Sequence, residues 1–290
     1  MSSSSHEGSR RQDLLGAALR QFQEADLPDP NWESQTLLAR CLGLQRLDLL
    51  RDPQAVVAPD QVARFEDWLQ RYLAGEPLAY LEGTVGFYGR EFQVDARVLV
   101  PRADSESIVE ACLEVMQGHE GGCMVDVGTG SGCLLWTLLA ERPSWQGIGV
   151  DSSAEALQVA EANRQSLGLQ QQGSLLQGSW LDPIPAGATL DLVLSNPPYI
   201  VYGEELGPGV AEFEPHQALF TPNTDALEPY VAIIQQAITS LKPGGHLVFE
   251  VGAGRAAAVA QEGKDFGFRL VGVRKDLGGV ERAVIFQLPA

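Results

Sequence analysis

Cysteine, histidine and positive charge are all scarce in this sequence, and each shortage narrows what the chain can be. The four cysteines, Cys41, Cys112, Cys123 and Cys133, form no CxxC pair and sit in apolar surroundings. They read as buried free thiols, not as a disulfide framework or a thiolate metal site. The four histidines, His6, His119, His216 and His246, lack metal-ligand spacing, so no metal is assigned. Only 20 Lys and Arg stand against 38 Asp and Glu, a formal net charge of -18. A field of that sign repels nucleic acid and argues against duplex DNA or RNA as a direct partner. No apolar run approaches the ~20 residues needed to span a bilayer, and no charged-then-apolar leader opens the sequence. The expectation is a cytoplasmic protein with no membrane partner. There is no internal repeat, and the one biased stretch is the Ser-rich Met1–Arg10, expected to be a disordered tail.

What is present is ordinary in bulk: 290 residues, 44% hydrophobic and 20% charged, enough for one large domain and a small one. Leu14, Leu15, Ala18, Leu19 and Phe22 recur at helical spacing and predict a helix ending near Pro28. Asn31 is the expected cap of a second helix carrying Trp32, Leu37, Leu38 and Cys41, closed by Gly43. A third helix is expected after Pro59, with Val62, Phe65, Trp68, Leu69 and Tyr72 on one face. Residues 11–75 thus read as a small helical domain whose aromatic stripe is core.

The character changes over Glu76 to Arg97, where Gly83, Gly86 and Gly89 punctuate short extended runs and predict a β-hairpin linker. Asp104 or Ser105 can cap the next helix, through Ile108, Val109, Cys112 and Val115. From there strand and helix alternate, the pattern of a doubly wound, mostly parallel sheet. Strands are expected at Cys123–Val127, Gly147–Val150, Ser174–Gln177, Leu190–Ser195 and His246–Val251, then Phe268–Val273 and Arg282–Leu288. Helices are expected at Cys133–Glu141, Ala154–Leu167 and Glu228–Leu241.

Asp126-Val127-Gly128-Thr129-Gly130-Ser131-Gly132 follows the first strand of that sheet and opens a helix. Its glycines permit tight turning and close approach of a bulky ligand. The spacing is Gly-x-Gly-x-Gly, unlike the Gly-x-Gly-x-x-Gly that seats a pyrophosphate. Asp126 would be poor company for a pyrophosphate and suits the sulfonium and ammonium groups of S-adenosylmethionine. Asp151 ends the second strand, where a carboxylate can accept both hydroxyls of a ribose. Followed by Ser152-Ser153, it also reads as a simple helix cap.

Asn196-Pro197-Pro198-Tyr199 follows the apolar run Leu190–Ser195. Two successive prolines cannot continue a central strand, and each holds the residue before it extended. The turn presents a carboxamide, a free carbonyl and an aromatic ring. Two acceptors can take both N–H bonds of an amide or exocyclic amine while the ring covers its face. Asn196, Pro197 and Tyr199 are therefore candidate catalytic groups, with Pro198 part of the substrate-binding turn. The same residues would also serve as a strand-ending turn without chemistry.

With both motifs in hand, the chain resembles the class I S-adenosylmethionine-dependent methyltransferases. More narrowly, it resembles the protein-(glutamine-N5) methyltransferases of peptide chain release factors. The resemblance runs from Asp13 to the C-terminus and rests on Val98-Leu99-Val100-Pro101-Arg102, the Asp126–Gly132 loop, Ser195–Ile200, Glu214-Pro215, and Leu241-Lys242-Pro243-Gly244-Gly245 leading to Glu250. It implies a Rossmann-like, seven-stranded sheet whose last strand is antiparallel. It further implies an amino-terminal bundle that helps hold the release factor, and a catalytic domain over residues 98–290. The implied cofactor is S-adenosyl-L-methionine, leaving as S-adenosyl-L-homocysteine, in a site comprising Asp126, Gly128, Thr129, Gly130, Gly132, Asp151, Ser179, Trp180 and Asn196. The implied target is the glutamine of a Gly-Gly-Gln loop, and the chain is expected to act as a monomer on that protein partner.

Three departures stand out. Ala103-Asp104-Ser105-Glu106 replaces the family's Pro-Glu-Thr-Glu, Ser179 replaces an Asp that reaches the adenine amino group, and Arg255 stands where Gln is usual. Arg102 and Glu106 either border the substrate pocket or form a surface ion pair. Glu250 either belongs to the site or is a satisfied structural carboxylate. Three rival readings share the motifs: a glutamine methyltransferase acting on a ribosomal protein, an adenine-N6 DNA methyltransferase, and a non-catalytic cofactor-binding protein. The DNA enzyme needs a basic groove that the net charge opposes, and the non-catalytic protein has little need of the Asn196 turn.

Overall fold

The computed structural model describes residues 9–185, 187, 189–204, 206–207, 209–221, 223 and 225–290. The chain divides into two compact units, Met1–Gly83 with Gly207–Phe213, and Thr84–Leu206 with Glu214–Ala290. Residues 1–8 of the tail expected to be disordered lie outside the described residues. Ser9 and Arg10 are ordered: the Val57 amide donates to the Ser9 carbonyl at 2.9 Å, and Arg10 bridges to Val56.

The first unit holds α1 (Arg11–Glu24), α2 (Pro30–Leu42), α3 (Arg46–Arg51), α4 (Pro59–Leu73) and α5 (Leu78–Glu82). Leu14, Ala18 and Phe22 of α1 meet Leu37, Leu38 and Cys41 of α2 and Phe65 and Leu69 of α4 in one apolar core, at the spacing read from the sequence. The cap of α2 is Asp29, not Asn31. Its side chain accepts the Trp32 N–H at 3.0 Å, because Pro30 supplies the first helical residue with no N–H to satisfy. Gly43 ends α2 at φ 67°, as expected.

The second unit opens with a two-stranded hairpin, β1 (Thr84–Phe87) and β2 (Arg90–Gln93). Tyr88 and Gly89 both have positive φ, 47° and 72°, the twist that matches a right-handed hairpin. α6 (Glu106–Val115) follows a short 3-10 turn, Ala103–Ser105. Neither Asp104 nor Ser105 caps it through a side chain; the Asp104 carboxylate pairs with Arg282 at 2.8 Å.

The remaining elements are β3 (Cys123–Val127), α7 (Cys133–Glu141), β4 (Gln146–Asp151), α8 (Ala154–Ser166), β5 (Gly173–Gln177), β6 (Leu190–Ser195), the short helices Val210–Phe213 and His216–Leu219, the helix Glu228–Ser240, β7 (Leu241–Glu250), the helix Ala256–Asp265, β8 (Arg269–Lys275) and β9 (Glu281–Gln287). β3 to β9 form one seven-stranded sheet in the order β5-β4-β3-β6-β7-β9-β8, with β9 antiparallel to both of its neighbours. β7 begins five residues before the expected His246. Leu190 pairs with Leu241 and Leu192 already with His246, so Lys242-Pro243-Gly244-Gly245 bulges out of the ladder.

Alternate residues of the central strands feed two cores. Val125, Val127, Val193, Leu247 and Phe249 pack with the helices Glu228–Ser240 and Ala256–Asp265. Met124, Leu192, Leu194 and Val248 pack with α6 and α7 on the other face. Among the described residues no helix is long and apolar enough to cross a membrane.

Candidate active site

β3 lies between β4 and β6, and the chain leaves it first in one direction and then the other. This reversal opens a crevice beyond the carboxyl ends of β3 and β6, the usual ligand position in such sheets. Both motifs read from the sequence emerge there. Val127 pairs with Ser195 in the parallel ladder, and the Ser195 hydroxyl donates to the Val127 carbonyl at 2.7 Å. The last residues before the glycine loop and the Asn196 turn are thus tied together.

Gly128, Gly130 and Gly132 have φ of 73°, 54° and 78°. A Cβ at Gly132 would stand 2.1 Å from the indole nitrogen of fully buried Trp136, whereas one at Gly130 would meet open space. Gly132 therefore serves packing and Gly130 leaves room for a ligand. The Gly128 and Thr129 amides donate to the Val150 carbonyl at 2.8 and 3.0 Å, fastening the loop to the end of β4.

Two carboxylates accompany this loop in different settings. Asp126 is fully buried; Thr129 donates to its Oδ2 at 2.7 Å, while Oδ1 has no hydrogen-bond partner among the described residues. Burial, only partly offset by the Thr129 hydrogen bond and reinforced by the charge of Asp151, pushes its pKa up to about 7. Asp151 accepts the Gly130 and Ser153 amides, each at 2.9 Å. Burial also raises its pKa, against the pull of those backbone bonds. The cap of α8 is Ser153, which accepts the Ala156 amide at 3.1 Å.

The crevice holds a cavity of about 610 Å³, within the roughly 300–1,000 Å³ of small-molecule sites. Gly128, Thr129, Gly130, Asp151, Ser179, Trp180, Asn196, Pro198 and Arg102 line it. Asp126, Gly132, Pro197, Tyr199 and Glu106 do not, although sequence reasoning grouped them with the site. Trp180 adopts φ 47°, a conformation rare for a bulky residue and frequent at ligand sites.

Four of these placements have a clear cause. Tyr199 lies on Gly252, where a Cβ would be 2.9 Å from its ring, so the ring backs the turn and does not wall the cavity. Its phenol is raised to about 12, chiefly by burial and then by Glu250. Glu106 accepts the backbone amide of Tyr88 at 2.9 Å, bracing the hairpin turn. Arg102 pairs with buried Glu214, not with Glu106, and Glu214 also accepts the Val100 amide at 3.1 Å. Arg255 pairs with Glu204 at 2.7 Å and ties the segment after the Asn196 turn to the loop after β7.

Sequence reasoning missed one wall altogether. Pro215, His216, Gln217, Ala218, Phe220 and Thr221 line the cavity, and so does Tyr202. Tyr202 stacks on Phe220 at 4.3 Å and 9°, and His216 meets Phe220 edge-on at 5.4 Å. The Gln217 amide reaches Ser152 at 2.8 Å, next to Asp151. Glu214-Pro215 was the sole sequence signal for this wall.

Residues 13–83 match the family described as PrmC N-terminal domain, and residues 119–264 match a family described as Methyltransferase domain. A release factor glutamine methyltransferase of Nitratidesulfovibrio vulgaris is 35% identical over 277 residues, covering 94% of this chain and 93% of its own. One from Cereibacter sphaeroides is 38% identical over 286 residues, covering 97% and 99%. The chain belongs to the release factor glutamine methyltransferase family. A crystal structure of a methyltransferase from Pyrococcus furiosus shares the fold of this family member, with a TM-score of 0.51 at 15% identity over 80% of this chain and all of its own.

The release factor glutamine methyltransferase family and its fold imply S-adenosylmethionine as methyl donor, and the residues of the crevice fit that molecule. Asp126 is a buried carboxyl group with one oxygen lacking a hydrogen-bond partner among the described residues, Asp151 presents a braced carboxylate to the cavity, and the Gly130 position leaves space beside it. A nucleoside carrying a sulfonium cation complements all three. Among the described residues no group of three or more His, Cys, Asp or Glu could hold a metal ion.

Proposed function

We propose that this chain methylates the side-chain amide nitrogen of the glutamine in the Gly-Gly-Gln loop of a peptide chain release factor. The observation that carries the residue-level reading is the position of Asn196. Its carboxamide lines the cavity at the switch point, on a turn that two prolines hold rigid, beside a loop suited to a cationic nucleoside.

S-adenosylmethionine, when bound, supplies an electrophilic methyl group. Asp151 would hold its ribose, Trp180 and Ser179 would border its base, and Asp126 would favour its positive charge. An amide nitrogen is a poor nucleophile because its lone pair is delocalised into the carbonyl. The Asn196 oxygen accepts an N–H bond of the target amide, and the Pro197 carbonyl expected to take the second stands outside the cavity lining. This orients the nitrogen and stabilises positive charge growing on it. Tyr199 acts from behind as a positioning residue, because its ring fixes the turn against Gly252. The nitrogen gives up one proton to water, so no strong base is needed.

Asn196→Ala tests the assignment. The expected result is a loss of kcat of about a hundredfold, the usual cost of removing one preorganised group, with S-adenosylmethionine affinity changed less than about threefold. Equal losses in turnover and cofactor binding would rule out Asn196 as the acceptor that orients the target amide. A ribosomal protein glutamine remains the alternative substrate, distinguished by offering both proteins to the enzyme.

A further inference from the structure

Glu250 is the last residue of β7, only 3% exposed, and no step of the methyl transfer uses it. In the parallel ladder Ser195 pairs with Phe249, so Asn196 and Glu250 are the next pair along. Leu192, Leu194 and Val248 all face the α6 and α7 side of the sheet. Pro197 keeps Asn196 extended and carries that alternation one residue past the strand. The two side chains therefore emerge on the same face. Asn196 and Ser105 are the polar side chains that favour the ionised form of the Glu250 carboxyl, while Oε2 has no hydrogen-bond partner among the described residues.

We propose that Glu250 is a positioning residue that fixes which end of the Asn196 carboxamide faces the substrate. This rests on Asn196 being an acceptor for the target amide. An ionised carboxylate only accepts, so it takes the NH2 end of Asn196 and turns the amide oxygen towards the cavity. A protonated Glu250 can instead donate to that oxygen, leaving the NH2 group to face a substrate that needs an acceptor. The device is sensitive because burial raises the Glu250 pKa to about 7, against the pull of Ser105, Arg282 and Asn196 and with the push of Asp104. Tyr199, Tyr230 and Cys133 also feel its charge.

The test compares wild type, Glu250→Gln, Asn196→Ala and the double variant, with labelled S-adenosylmethionine and a purified release factor. Glutamine keeps the size but can present either an oxygen or an NH2 group to Asn196. The expected result for Glu250→Gln is a kcat lowered about tenfold, the worth of one hydrogen bond. Its S-adenosylmethionine affinity, measured by calorimetry, is expected to stay within about twofold, which also shows that the variant is folded. Wild-type kcat is expected to fall below about pH 7, and Glu250→Gln to lose that acid limb. The double variant is expected to be no slower than Asn196→Ala alone, since Glu250 acts through Asn196. Unchanged kcat and pH profile in Glu250→Gln, or additive losses in the double variant, overturn the inference while leaving the function intact. A wild-type enzyme that leaves the release factor unlabelled overturns the function and this inference with it.

Discussion

Asp126→Asn is expected to stabilise the ligand-free protein at alkaline pH and, at the same time, weaken its hold on S-adenosylmethionine. Asp126 is fully buried, and its pKa rises from 3.8 to about 7. At about 1.4 kcal/mol per tenfold change in proton affinity, that rise corresponds to roughly 4 kcal/mol. The folded-state value lies above the unfolded one, so the favourable contribution is complete below about pH 4 and lost as the pH climbs through 7. Ionised Asp126 is therefore a liability to the native state at pH 8. Asparagine removes the charge and keeps an oxygen for the Thr129 hydroxyl. Thermal unfolding without cofactor is expected to give a Tm higher by about 5–10 °C at pH 8, from roughly 2–4 kcal/mol, and little change at about pH 3.5. The same buried charge is the partner proposed for the sulfonium, so the variant is expected to bind S-adenosylmethionine about tenfold more weakly. A Tm unchanged at pH 8, or raised equally at both pH values, would refute the reasoning.

Gly132→Ala combines a φ of 78° with a Cβ 2.1 Å from the Trp136 indole nitrogen, which itself donates to the Ala160 carbonyl at 3.0 Å. It is expected to cost about 3 kcal/mol or more, read as lost soluble yield or a lowered Tm. Gly130→Ala faces open space at φ 54° and is expected to cost about 1 kcal/mol of backbone strain, with its larger effect on cofactor affinity. Gln217→Ala removes the 2.8 Å bond to Ser152; about threefold weaker S-adenosylmethionine binding with an unchanged Tm is expected by calorimetry, as suits an exposed hydrogen bond.

β3 and β6 fall on the residues expected from sequence because apolar runs bounded by turn residues leave little choice of register. β7 was legible only from His246, since a Lys-Pro-Gly-Gly bulge disguises its first half. The helix Ala256–Asp265 escaped notice because it buries small residues, Ala256, Val259, Ala260 and Gly263, in place of a bulky stripe. Within the site, the glycine loop, Asp151 and Asn196 were readable because their chemistry is local to a strand end. The aromatic wall was not, since Tyr202 and Phe220 meet only when the chain folds back 18 residues later, through the bridge of Ile200 to Phe220. Tyr199 misled for a similar reason: the glycine that receives its ring, Gly252, sits beyond a different strand. Arg255 had no visible purpose until Glu204 came beside it.

The central claim is the transfer of a methyl group to a release factor glutamine. Its most direct test is incubation of the protein with methyl-labelled S-adenosylmethionine and a purified release factor, followed by mass spectrometry of the digested product. The expected result is a single added methyl group on the glutamine of the Gly-Gly-Gln loop, absent when that residue is changed to alanine. An unlabelled release factor beside a labelled ribosomal protein in a parallel reaction would contradict the claim.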